Sequence, residues 1–373
     1  MNLYLKGYSH GYRMLIVART EKTYSLLMQR GVEIMHITDS TIVIQPGEIV
    51  YPPSCVSSER LNLLSDFDIV EINEKGVLYR SYSYEEREAT VFLGAKCNSN
   101  CVMCPASDME RKRGFSYDRD NLLKYIAYLP CNLNHIVITG GEPTLQPSLF
   151  LEALSKIKEK YPDAKVLLLS NGRSLSDKKF YEEVCRDRPN NFRVAIPIHG
   201  DNPELHDSIT RAEGSFNQTI LALHRLMNSE VEVEIRIVVT KLNCDNLTGI
   251  ADLIISNFSK VSCVNFIGLE PRGNCALNFD SVYIDSRNSF LKSKPAIYRL
   301  IKSGYDVGLY NYPLCAVDKD CWSLAAKSIS GYKTVYHKDC YRCDVKAMCG
   351  GFFDSAMSIA HPVVHPIVSE KCE

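Results

Sequence analysis

The sequence lacks an excess of charge of either sign. Its 373 residues carry 43 lysines and arginines against 44 aspartates and glutamates, which gives a formal net charge of -1. A neutral chain has no strong electrostatic attraction to nucleic acid or to an anionic membrane surface. The composition therefore gives no support to a nucleic-acid-binding function, and we expect no nucleic-acid partner.

Long apolar runs are also missing. No stretch reaches the roughly 18 consecutive apolar residues that a membrane-spanning helix requires. The start, MNLYLKGYSHGYR, lacks the basic and then apolar order of a secretory signal. We therefore expect a soluble, cytoplasmic protein with no membrane partner.

Cysteine is the residue type that stands out. The 15 cysteines fall short of the roughly 8–10% found in disulfide scaffolds, and a reducing cytoplasm disfavours disulfides. Their odd number and uneven spacing favour metal ligation. Six cysteines outside the two groups described below are expected to act as small buried apolar side chains: Cys55, Cys131, Cys185, Cys244, Cys263 and Cys275.

The pattern of the chain predicts three parts. Residues 1–88 contain short β-branched runs and a hairpin turn at Glu74-Lys-Gly76, which predict a small β-rich unit. Over residues 89–285, six short apolar runs alternate with helical segments, as in βαβ units with a parallel sheet. Six such units fit a partial (β/α)6 barrel better than a closed eight-stranded one. Residues 286–373 end in a segment rich in cysteine and glycine.

Chemically distinctive residues follow the predicted barrel strands. The strand ends are marked by Cys97, by Gly140-Gly141-Glu142-Pro143, by Ser170-Asn171, by His199 and by Glu270. In α/β barrels the active site lies at the carboxyl ends of the strands. We therefore expect the functional site at this edge, with His199 making local hydrogen bonds only.

The first group of cysteines is Cys97, Cys101 and Cys104, spaced CxxxCxxC. Structural zinc takes four closed ligands, and the next cysteine and histidine are Cys131 and His135. A four-iron cluster held by three cysteines instead leaves one iron open to a small molecule. An iron-sulfur cluster is the favoured interpretation, and a zinc knuckle is the alternative.

The second group is Cys340, Cys343 and Cys349, with Cys315 upstream. Four thiolates suit a closed iron-sulfur cluster or a tetrahedral zinc ion equally well. Cys321 and Cys372 are alternative fourth ligands, and the sequence does not choose among them.

Together these motifs resemble the radical S-adenosylmethionine (SAM) superfamily. CxxxCxxC follows the first barrel strand and Gly-Gly-Glu-Pro follows the second, while the C-terminal Cys-x2-Cys-x5-Cys resembles auxiliary-cluster extensions of the SPASM or twitch kind. From about residue 90 to 365, stretches such as ITGGEPTL at 138–145 resemble the C-type radical SAM maturases of the His-Xaa-Ser peptide system. One departure is Met103, where the superfamily often has an aromatic residue. It changes the packing but removes no ligand.

The resemblance implies two iron-sulfur clusters. Cys97, Cys101 and Cys104 would hold a [4Fe-4S] cluster whose fourth iron binds the amino and carboxylate groups of SAM. An electron from that cluster would cleave SAM to methionine and a 5'-deoxyadenosyl radical. The second, auxiliary [4Fe-4S] cluster would lie at Cys315, Cys340, Cys343 and Cys349.

The turn after the second strand is the first candidate for binding SAM. Gly140 and Gly141 lack a Cβ, so that their backbone can approach the methionine ammonium closely. Glu142, followed by Pro143, accepts from that ammonium or braces the turn. Ser170 and Asn171 suit the ribose hydroxyls or the carboxylate, with an ordinary turn as the alternative.

Three charged residues complete the predicted site. Arg236 and, second, Arg211 are candidate cationic partners of the SAM carboxylate. The alternatives are an ion pair of Arg236 with Glu232 or Glu234 and a surface location for Arg211. Glu270 is the candidate catalytic residue near adenine or substrate, or else a structural ion pair.

The leading hypothesis for function is an enzyme that abstracts hydrogen from a ribosomally made peptide and then oxidises or cross-links it. The resemblance implies a precursor peptide with His-Xaa-Ser repeats, a second radical SAM maturase as partner, and an electron donor such as flavodoxin or ferredoxin. The basic run Arg111-Lys-Arg113 is expected to be a solvated loop, or else to attract an acidic leader. Two alternatives are a radical SAM enzyme acting on a small molecule or an RNA base, and a non-catalytic iron-sulfur or zinc module.

Overall fold

The structure is a computed structural model that describes residues 2–5, 8–39, 41–46, 49–51, 61–114 and 116–368. Within these residues the strands form a seven-stranded sheet, an eight-stranded sheet and a two-stranded sheet. Cys55 and Cys372 lie outside the described residues.

The N-terminal sheet is mixed. Its strands are β1 (Asn2–Tyr4), β2 (Arg13–Ala18), β3 (Ile34–Ile37), β4 (Ile42–Gln45), β5 (Ile49–Tyr51), β6 (Ile69–Ile72) and β7 (Val77–Tyr82), in the order β1-β7-β6-β2-β3-β4-β5. Helix α1 (Glu21–Gln29) connects β2 to β3, and these two strands run parallel. The hairpin predicted at Glu74–Gly76 joins β6 to β7, and its Gly76 has a φ of +74°. The predicted β-rich N-terminal unit is therefore present.

The second sheet is a curled parallel half-barrel in which consecutive strands are neighbours. Its strands are β8 (Glu88–Phe92), β9 (His135–Thr139), β10 (Lys165–Leu169), β11 (Phe192–Pro197), β12 (Glu232–Val238), β13 (Cys263–Ile267), β14 (Val307–Tyr310) and β15 (Ala325–Ala326). The first six lie where the sequence predicted them, which confirms the partial α/β barrel. The sheet also contains two strands that the sequence did not predict, β14 and β15. They are only four and two residues long, which is too short to give a clear apolar pattern.

Helices cover the outer face of the half-barrel. Those that pack there through the main hydrophobic core are α3 (Arg119–Tyr128), α4 (Pro147–Lys160), α5 (Lys178–Asp187), α7 (Ser215–Met227), α8 (Leu247–Asn257) and α11 (Ser286–Lys302). The shorter helices α2 (Asp108–Arg113), α6 (Pro203–Thr210), α9 (Gly273–Leu277) and α10 (Phe279–Val282) lie outside that core. None of the helices in the described part of the chain is long and apolar enough to span a lipid bilayer.

Alternation along β12 separates an apolar outer face from a charged inner face. On β12, Val233, Ile235 and Ile237 are fully buried in the main hydrophobic core with side chains of the helices. Glu234 and Arg236 alternate with them and face the inside of the curled sheet. Strand β12 therefore contributes a pair of charged side chains to the inside of the half-barrel.

The N-terminal unit is joined to the half-barrel by shared core and by hydrogen bonds. Met14, Ile69 and Tyr82 belong to the same hydrophobic cluster as the barrel strands. The Glu71 carboxylate, which is fully buried, accepts hydrogen bonds from the hydroxyls of Tyr12 at 2.5 Å and of Tyr117. Tyr117 precedes α3 on the barrel side, so this carboxylate connects the two parts.

The C-terminal segment after β14 consists mainly of short helical turns and the antiparallel pair β16 (Thr334–Val335) and β17 (Phe352–Phe353). Lys333 Nζ lies 3.1 Å from both carboxylate oxygens of Glu270, in the turn after β13. This ion pair fastens the segment to the barrel edge. The domain limits of 1–88, 89–285 and 286–373 stay a prediction.

Candidate active site and cysteine groups

The first three cysteines lie on a loop after β8 that we call the cluster loop, residues 97–106. Its backbone is held by the last turn of α6: the Asn100 N–H donates to Thr210 O at 3.0 Å, and the Val102 N–H donates to Ile209 O at 2.9 Å. A loop with these backbone bonds has a defined course. It lies at the carboxyl edge of the parallel sheet, where the sequence predicted the functional site.

Two asparagines, one in α9 and one directly after it, also hold the cluster loop. The Asn274 amide, 3% exposed, donates to Asn100 Oδ1 at 2.8 Å and to Cys101 O at 2.9 Å. The Asn278 amide donates to Val102 O at 3.1 Å. Sequence reasoning missed both residues, because asparagine is common in loops and nothing in the local pattern connects residue 274 to residue 101.

The three thiols lie close enough to influence one another. Burial, together with negative charge on Cys104 and Cys97, raises the pKa of Cys101 to about 12. Burial also raises the pKa of Cys97. The N–H of Ser99, which donates to the Cys97 sulfur at 3.4 Å, opposes this rise. Metal binding requires the thiolate forms, so a metal that binds here would release protons.

This donor set fits an iron-sulfur cluster. Over the described ranges, no three His, Cys, Asp or Glu side chains form a group that could hold a single metal ion. A [4Fe-4S] cluster does not require its thiolates to converge on one metal atom, because each thiolate binds a different iron. Three thiols on a fixed loop therefore suit a cluster with one iron left for another ligand.

Arg111 lies next to this loop and is not the solvated residue that we expected. It is 5% exposed within α2, and its guanidinium donates to Ala106 O at 2.9 Å and to Asn100 Oδ1. The solvated-loop expectation is wrong because residues 108–113 form a helix with a capping box at Ser107. One face of that helix packs on the cluster loop, whereas Lys112 and Arg113 are exposed.

The glycines of the Gly-Gly-Glu-Pro turn allow close packing against the chain that leads to Cys97. A Cβ on Gly140 would lie 2.5 Å from Gly94 O, and one on Gly141 would lie 2.2 Å from Ala95 O. The Gly141 N–H donates to Gly94 O at 2.8 Å. Glycine at these two positions thus allows the close packing. Contact of SAM with this turn, Pro143 included, stays a prediction.

Glu142 braces the two strand-end turns. It is 3% exposed, and Oε1 accepts from the Thr144 hydroxyl at 2.6 Å and from the Ser170 hydroxyl at 2.9 Å. Oε2 accepts from the Asn171 N–H at 2.7 Å. Burial raises the pKa of Glu142, and these hydrogen bonds oppose the rise. Of the two roles predicted for Glu142, the observed contacts correspond to bracing of the turn. Ser170 donates its only hydroxyl proton to Glu142 in this arrangement.

The loop after β10 touches the cluster loop directly. The Asn171 amide donates to Asn98 Oδ1 at 2.7 Å and lies 4.0 Å from the Cys97 sulfur. Arg173 donates to the backbone oxygen of Asn98 and to Ser99 Oγ at 3.1 Å. The structure therefore brings Asn171 together with the first cysteine, and it adds Arg173, which sequence reasoning missed.

Ion pairs occupy two of the predicted charged residues. Arg236 Nε donates to Glu234 Oε1 at 2.6 Å inside the half-barrel, and Glu270 pairs with Lys333. These are the structural alternatives that the sequence left open. Arg211 is exposed at the end of α6 and donates to Asn278 Oδ1 at 3.2 Å.

His199 follows β11 and is 3% exposed. Its N–H donates to His206 Nδ1 at 3.2 Å, and its carbonyl accepts from the Asn243 amide at 3.1 Å. Burial lowers the pKa of His199 well below its ordinary value, and the neighbouring His206 lowers it further. These contacts are made by the backbone, whereas the imidazole Nδ1 is buried with no hydrogen-bond partner among the described residues. The local role expected of this side chain therefore stays a prediction.

Four C-terminal cysteines line one cavity: Cys315, Cys340, Cys343 and Cys349. Backbone N–H groups point at two of the sulfurs, since Leu314 and Gly351 donate to Cys349 at 3.3 and 3.4 Å and His365 donates to Cys315. Burial raises the pKa of Cys315 to about 11. Cys321 lies elsewhere, in the main core beside the Tyr298 hydroxyl. Cys315 is thus placed with the other three, and Cys372 lies outside the described residues.

The other cysteines mostly follow the expectation of small buried groups. Cys244, Cys263 and Cys275 are buried and Cys185 is partly buried. Cys131 is exposed, so the expectation is wrong there. It lies in the turn before β9, at the opposite end of that strand from the cluster loop.

Comparison with known proteins identifies the barrel segment. Residues 91–254 match the family described as the Radical SAM superfamily. The chain is 28% identical over 165 residues to the AdoMet-dependent heme synthase of Methanosarcina barkeri, covering 43% of this chain and 45% of that protein. It is 23% identical over 227 residues to the antilisterial bacteriocin subtilosin biosynthesis protein AlbA of Bacillus subtilis, covering 58% of this chain and 48% of AlbA.

A similar solved structure is SuiB of Streptococcus suis bound to precursor peptide SuiA. It has a TM-score of 0.48 and 13% identity, with 60% of this chain and 48% of SuiB covered. The chain spans about half the length of the curated relatives it matches. The segment that matches the family includes the cluster loop and strands β9 to β12.

Proposed function

We propose that this protein is a radical SAM enzyme that holds a [4Fe-4S] cluster at Cys97, Cys101 and Cys104 and cleaves SAM reductively. The observation that carries the proposal is a CxxxCxxC loop fixed at the carboxyl edge of a parallel half-barrel, within the segment that matches the family. When bound, the cluster and SAM supply an electron and a 5'-deoxyadenosyl radical, and the protein supplies orientation and exclusion of water.

The chain's own residues have separable tasks in this proposal. Asn274 and Asn278 hold the cluster loop, and Glu142 fixes the turns after β9 and β10. The groups proposed to orient SAM are the backbone of the Gly140–Pro143 turn, which contacts the chain leading to Cys97, and the side chain of Asn171, which lies 4.0 Å from the Cys97 sulfur. Arg236, already paired with Glu234, and the exposed Arg211 stay candidates for its carboxylate, and Glu270 stays the candidate catalytic residue.

A second [4Fe-4S] cluster, of the SPASM or twitch kind, is proposed for the C-terminal segment. Support comes from the four thiols that line one cavity, with backbone N–H groups directed at Cys349 and Cys315. Hydrogen bonds to cluster sulfurs are one of the means by which proteins set a cluster's potential. A tetrahedral zinc ion accepts the same four thiolates, so the identity of the metal is part of the test.

The proposed substrate is a ribosomally made peptide that is oxidised or cross-linked after hydrogen abstraction. Two observations support this class: the motifs shared with the maturases of the His-Xaa-Ser peptide system, and the similarity to AlbA, a protein of bacteriocin biosynthesis. The partners that follow are a precursor peptide with His-Xaa-Ser repeats, a second radical SAM maturase, and a flavodoxin or ferredoxin as electron donor. The similarity to a heme synthase favours the second candidate, a radical SAM enzyme acting on a small molecule.

Reductive cleavage of SAM is the primary test. The full chain, reconstituted anaerobically with iron and sulfide and reduced with dithionite, is expected to form 5'-deoxyadenosine from SAM. Replacing any one of Cys97, Cys101 and Cys104 by alanine should abolish the product, because the cluster loses one of three ligands. Cys131→Ala, which changes an exposed thiol outside the loop, is the matched control. No product from the wild-type protein would favour a non-catalytic module.

Metal analysis tests the second cluster. Two four-iron clusters predict about eight irons and eight sulfides per chain. Cys315→Ala is expected to lower that count towards four, whereas Cys321→Ala, which changes a cysteine outside the cavity, should leave it unchanged. About four irons together with bound zinc in the wild-type protein would overturn the auxiliary iron-sulfur cluster while leaving the first one intact.

Isotope transfer separates the two substrate classes. A precursor peptide with deuterated His-Xaa-Ser repeats is expected to pass deuterium to 5'-deoxyadenosine. Transfer from a small metabolite, with none from the peptide, would favour the second candidate.

A further inference from the structure

Arg111 is a buried positive charge beside the cysteines of the cluster loop. Its side chain is 5% exposed, and it donates to the backbone oxygen of Ala106 at 2.9 Å and to the side-chain oxygen of Asn100. Both partners are uncharged and belong to the cluster loop. Arginine stays protonated in proteins, so a full positive charge is held against this loop.

No carboxylate in the described part of the chain forms an ion pair with Arg111. The two nearest along its own helix are engaged elsewhere: Asp108 pairs with Lys112 at 2.8 Å, and Glu110 accepts from the Ser107 N–H at 2.6 Å and lies 3.6 Å from Arg272. Asn100, which receives the guanidinium, also receives the Asn274 amide at 2.8 Å. The hydrogen-bond network around Arg111 is therefore ordered but contains no negative charge.

A buried charge is costly unless an opposite charge compensates it. The guanidinium binds Asn100, the residue before Cys101, and Ala106, two residues after Cys104. The cysteines of the cluster loop are therefore groups beside Arg111 that carry negative charge once they bind a metal as thiolates. Three thiolates with a four-iron cluster form a negatively charged unit, and one-electron reduction adds a further negative charge. A fixed cation nearby stabilises the reduced form more than the oxidised form.

We propose that Arg111 is the counter-ion of the iron-sulfur cluster at Cys97, Cys101 and Cys104 and that it raises the reduction potential of that cluster. The inference rests on the proposed function, because it requires the cluster. Beyond the proposed function, the inference assigns part of the control of the cluster's reduction potential to Arg111, a residue of α2 that is not a metal ligand. Arg111 is thus a positioning and electrostatic residue, not a catalytic one.

The test is a potentiometric titration, followed by electron paramagnetic resonance, on the anaerobically reconstituted full chain without SAM. Arg111→Gln removes the charge and keeps a hydrogen-bonding side chain. At the wild-type midpoint its ratio of reduced to oxidised first cluster is expected to be at least about tenfold lower, a shift of about 59 mV to more negative potential for a one-electron couple. Arg111→Lys keeps the charge and should titrate near the wild type. Arg113→Gln, which removes an exposed charge from the same helix, is the control and should not shift the midpoint.

The outcomes separate the inference from the function on which it rests. An Arg111→Gln variant that carries the first cluster and titrates at the wild-type midpoint overturns the counter-ion role. If that variant assembles no first cluster, Arg111→Lys decides: assembly restored by lysine supports the role of charge, and assembly lost in both overturns it in favour of the guanidinium hydrogen bonds. A wild-type chain that assembles no cluster on Cys97, Cys101 and Cys104 defeats the proposed function itself.

Discussion

Single buried polar residues decide how the loops of this site are arranged. Glu142 joins the turn after β9 to the turn after β10 through one carboxylate that receives four hydrogen bonds. Hydrogen bonds to a charged, buried acceptor are among the stronger ones in proteins, at about 1.5–3 kcal/mol each. Oε1 receives three of these hydrogen bonds and Oε2 receives one, so the carboxylate has a fixed orientation between the two turns.

Acid sensitivity follows from the buried histidines. Burial lowers the pKa of His206 to about 4 from an ordinary 6.5, so between these values the unfolded chain binds a proton that the folded chain excludes. Stability is therefore greatest above pH 6.5 and is lost as the pH falls towards 4, by about 3 kcal/mol from this residue. Urea unfolding of the metal-free chain at pH 7 and pH 5 measures the loss.

A pair of asparagine variants isolates this contribution. His206→Asn keeps an acceptor near the position of Nδ1 but cannot titrate, so its stability should fall less between pH 7 and pH 5 than that of the wild type. His10→Asn changes an exposed histidine and should retain the full wild-type dependence. Equal pH dependence of His206→Asn and the wild type would contradict the assignment.

The cysteines could be identified from sequence at the residue scale, and most of their partners could not. Cysteines at spacings of four and three are rare enough to indicate metal ligation by themselves. Arg111 and Asn274 belong to common residue types, and their roles depend on burial and on contacts up to 174 residues away. Such contacts leave no local pattern.

At the scale of elements, the half-barrel puts its loops into contact by close backbone packing. The turn after β9 lies against the chain after β8 at a distance that only glycine permits. This explains the pair Gly140-Gly141 without reference to any ligand. It also means that the course of the chain into Cys97 depends on the turn after the next strand.

Gly141→Ala is expected to disturb that contact severely. Its new Cβ would lie 2.2 Å from Ala95 O and 2.4 Å from Lys96 O, which are backbone atoms that cannot swing away, so the cluster loop must move. We expect at least about 2 kcal/mol of destabilisation and reduced iron loading, measured by urea unfolding and by iron analysis. Gly331→Ala, with no atom within 4 Å of its new Cβ, is the control. Wild-type iron loading in Gly141→Ala would refute the packing argument.

The alternation of strands and helices predicted the barrel elements well because each βαβ unit is local in sequence. The six predicted strands are found, and β14 and β15 were missed because a few residues carry too little pattern. The order of the N-terminal sheet was beyond prediction, since β1 pairs with β7 rather than with its neighbour in sequence. Long-range antiparallel pairing of this kind is not encoded in any single segment.

At the scale of the whole molecule, the N-terminal unit and the half-barrel share one core. Met14, Ile69 and Tyr82 are buried in the cluster that also contains the barrel strands. Glu71 receives hydroxyl donors from its own sheet and from Tyr117. We therefore expect the two parts to unfold in one transition rather than as independent domains.

Tyr117→Phe tests this coupling. The change removes a hydroxyl that donates to a buried carboxylate, which should cost about 1–3 kcal/mol and lower the single transition temperature without splitting it. Scanning calorimetry of the metal-free chain measures both effects. Tyr332→Phe, at a position 83% exposed, should leave the transition unchanged. Two resolved transitions in the wild-type protein would show that the parts are independent.

The hydrogen bonds from Asn274 to the cluster loop have a consequence for the synthesis of this chain on the ribosome. The Asn274 amide bonds to the carbonyl of a residue 173 positions earlier, so the nascent polypeptide emerges with its first three cysteines long before the ribosome has made the side chain that secures them. In the proposed holoenzyme, the loop that would receive iron and sulfide therefore has its full set of contacts only after most of the chain has left the ribosome.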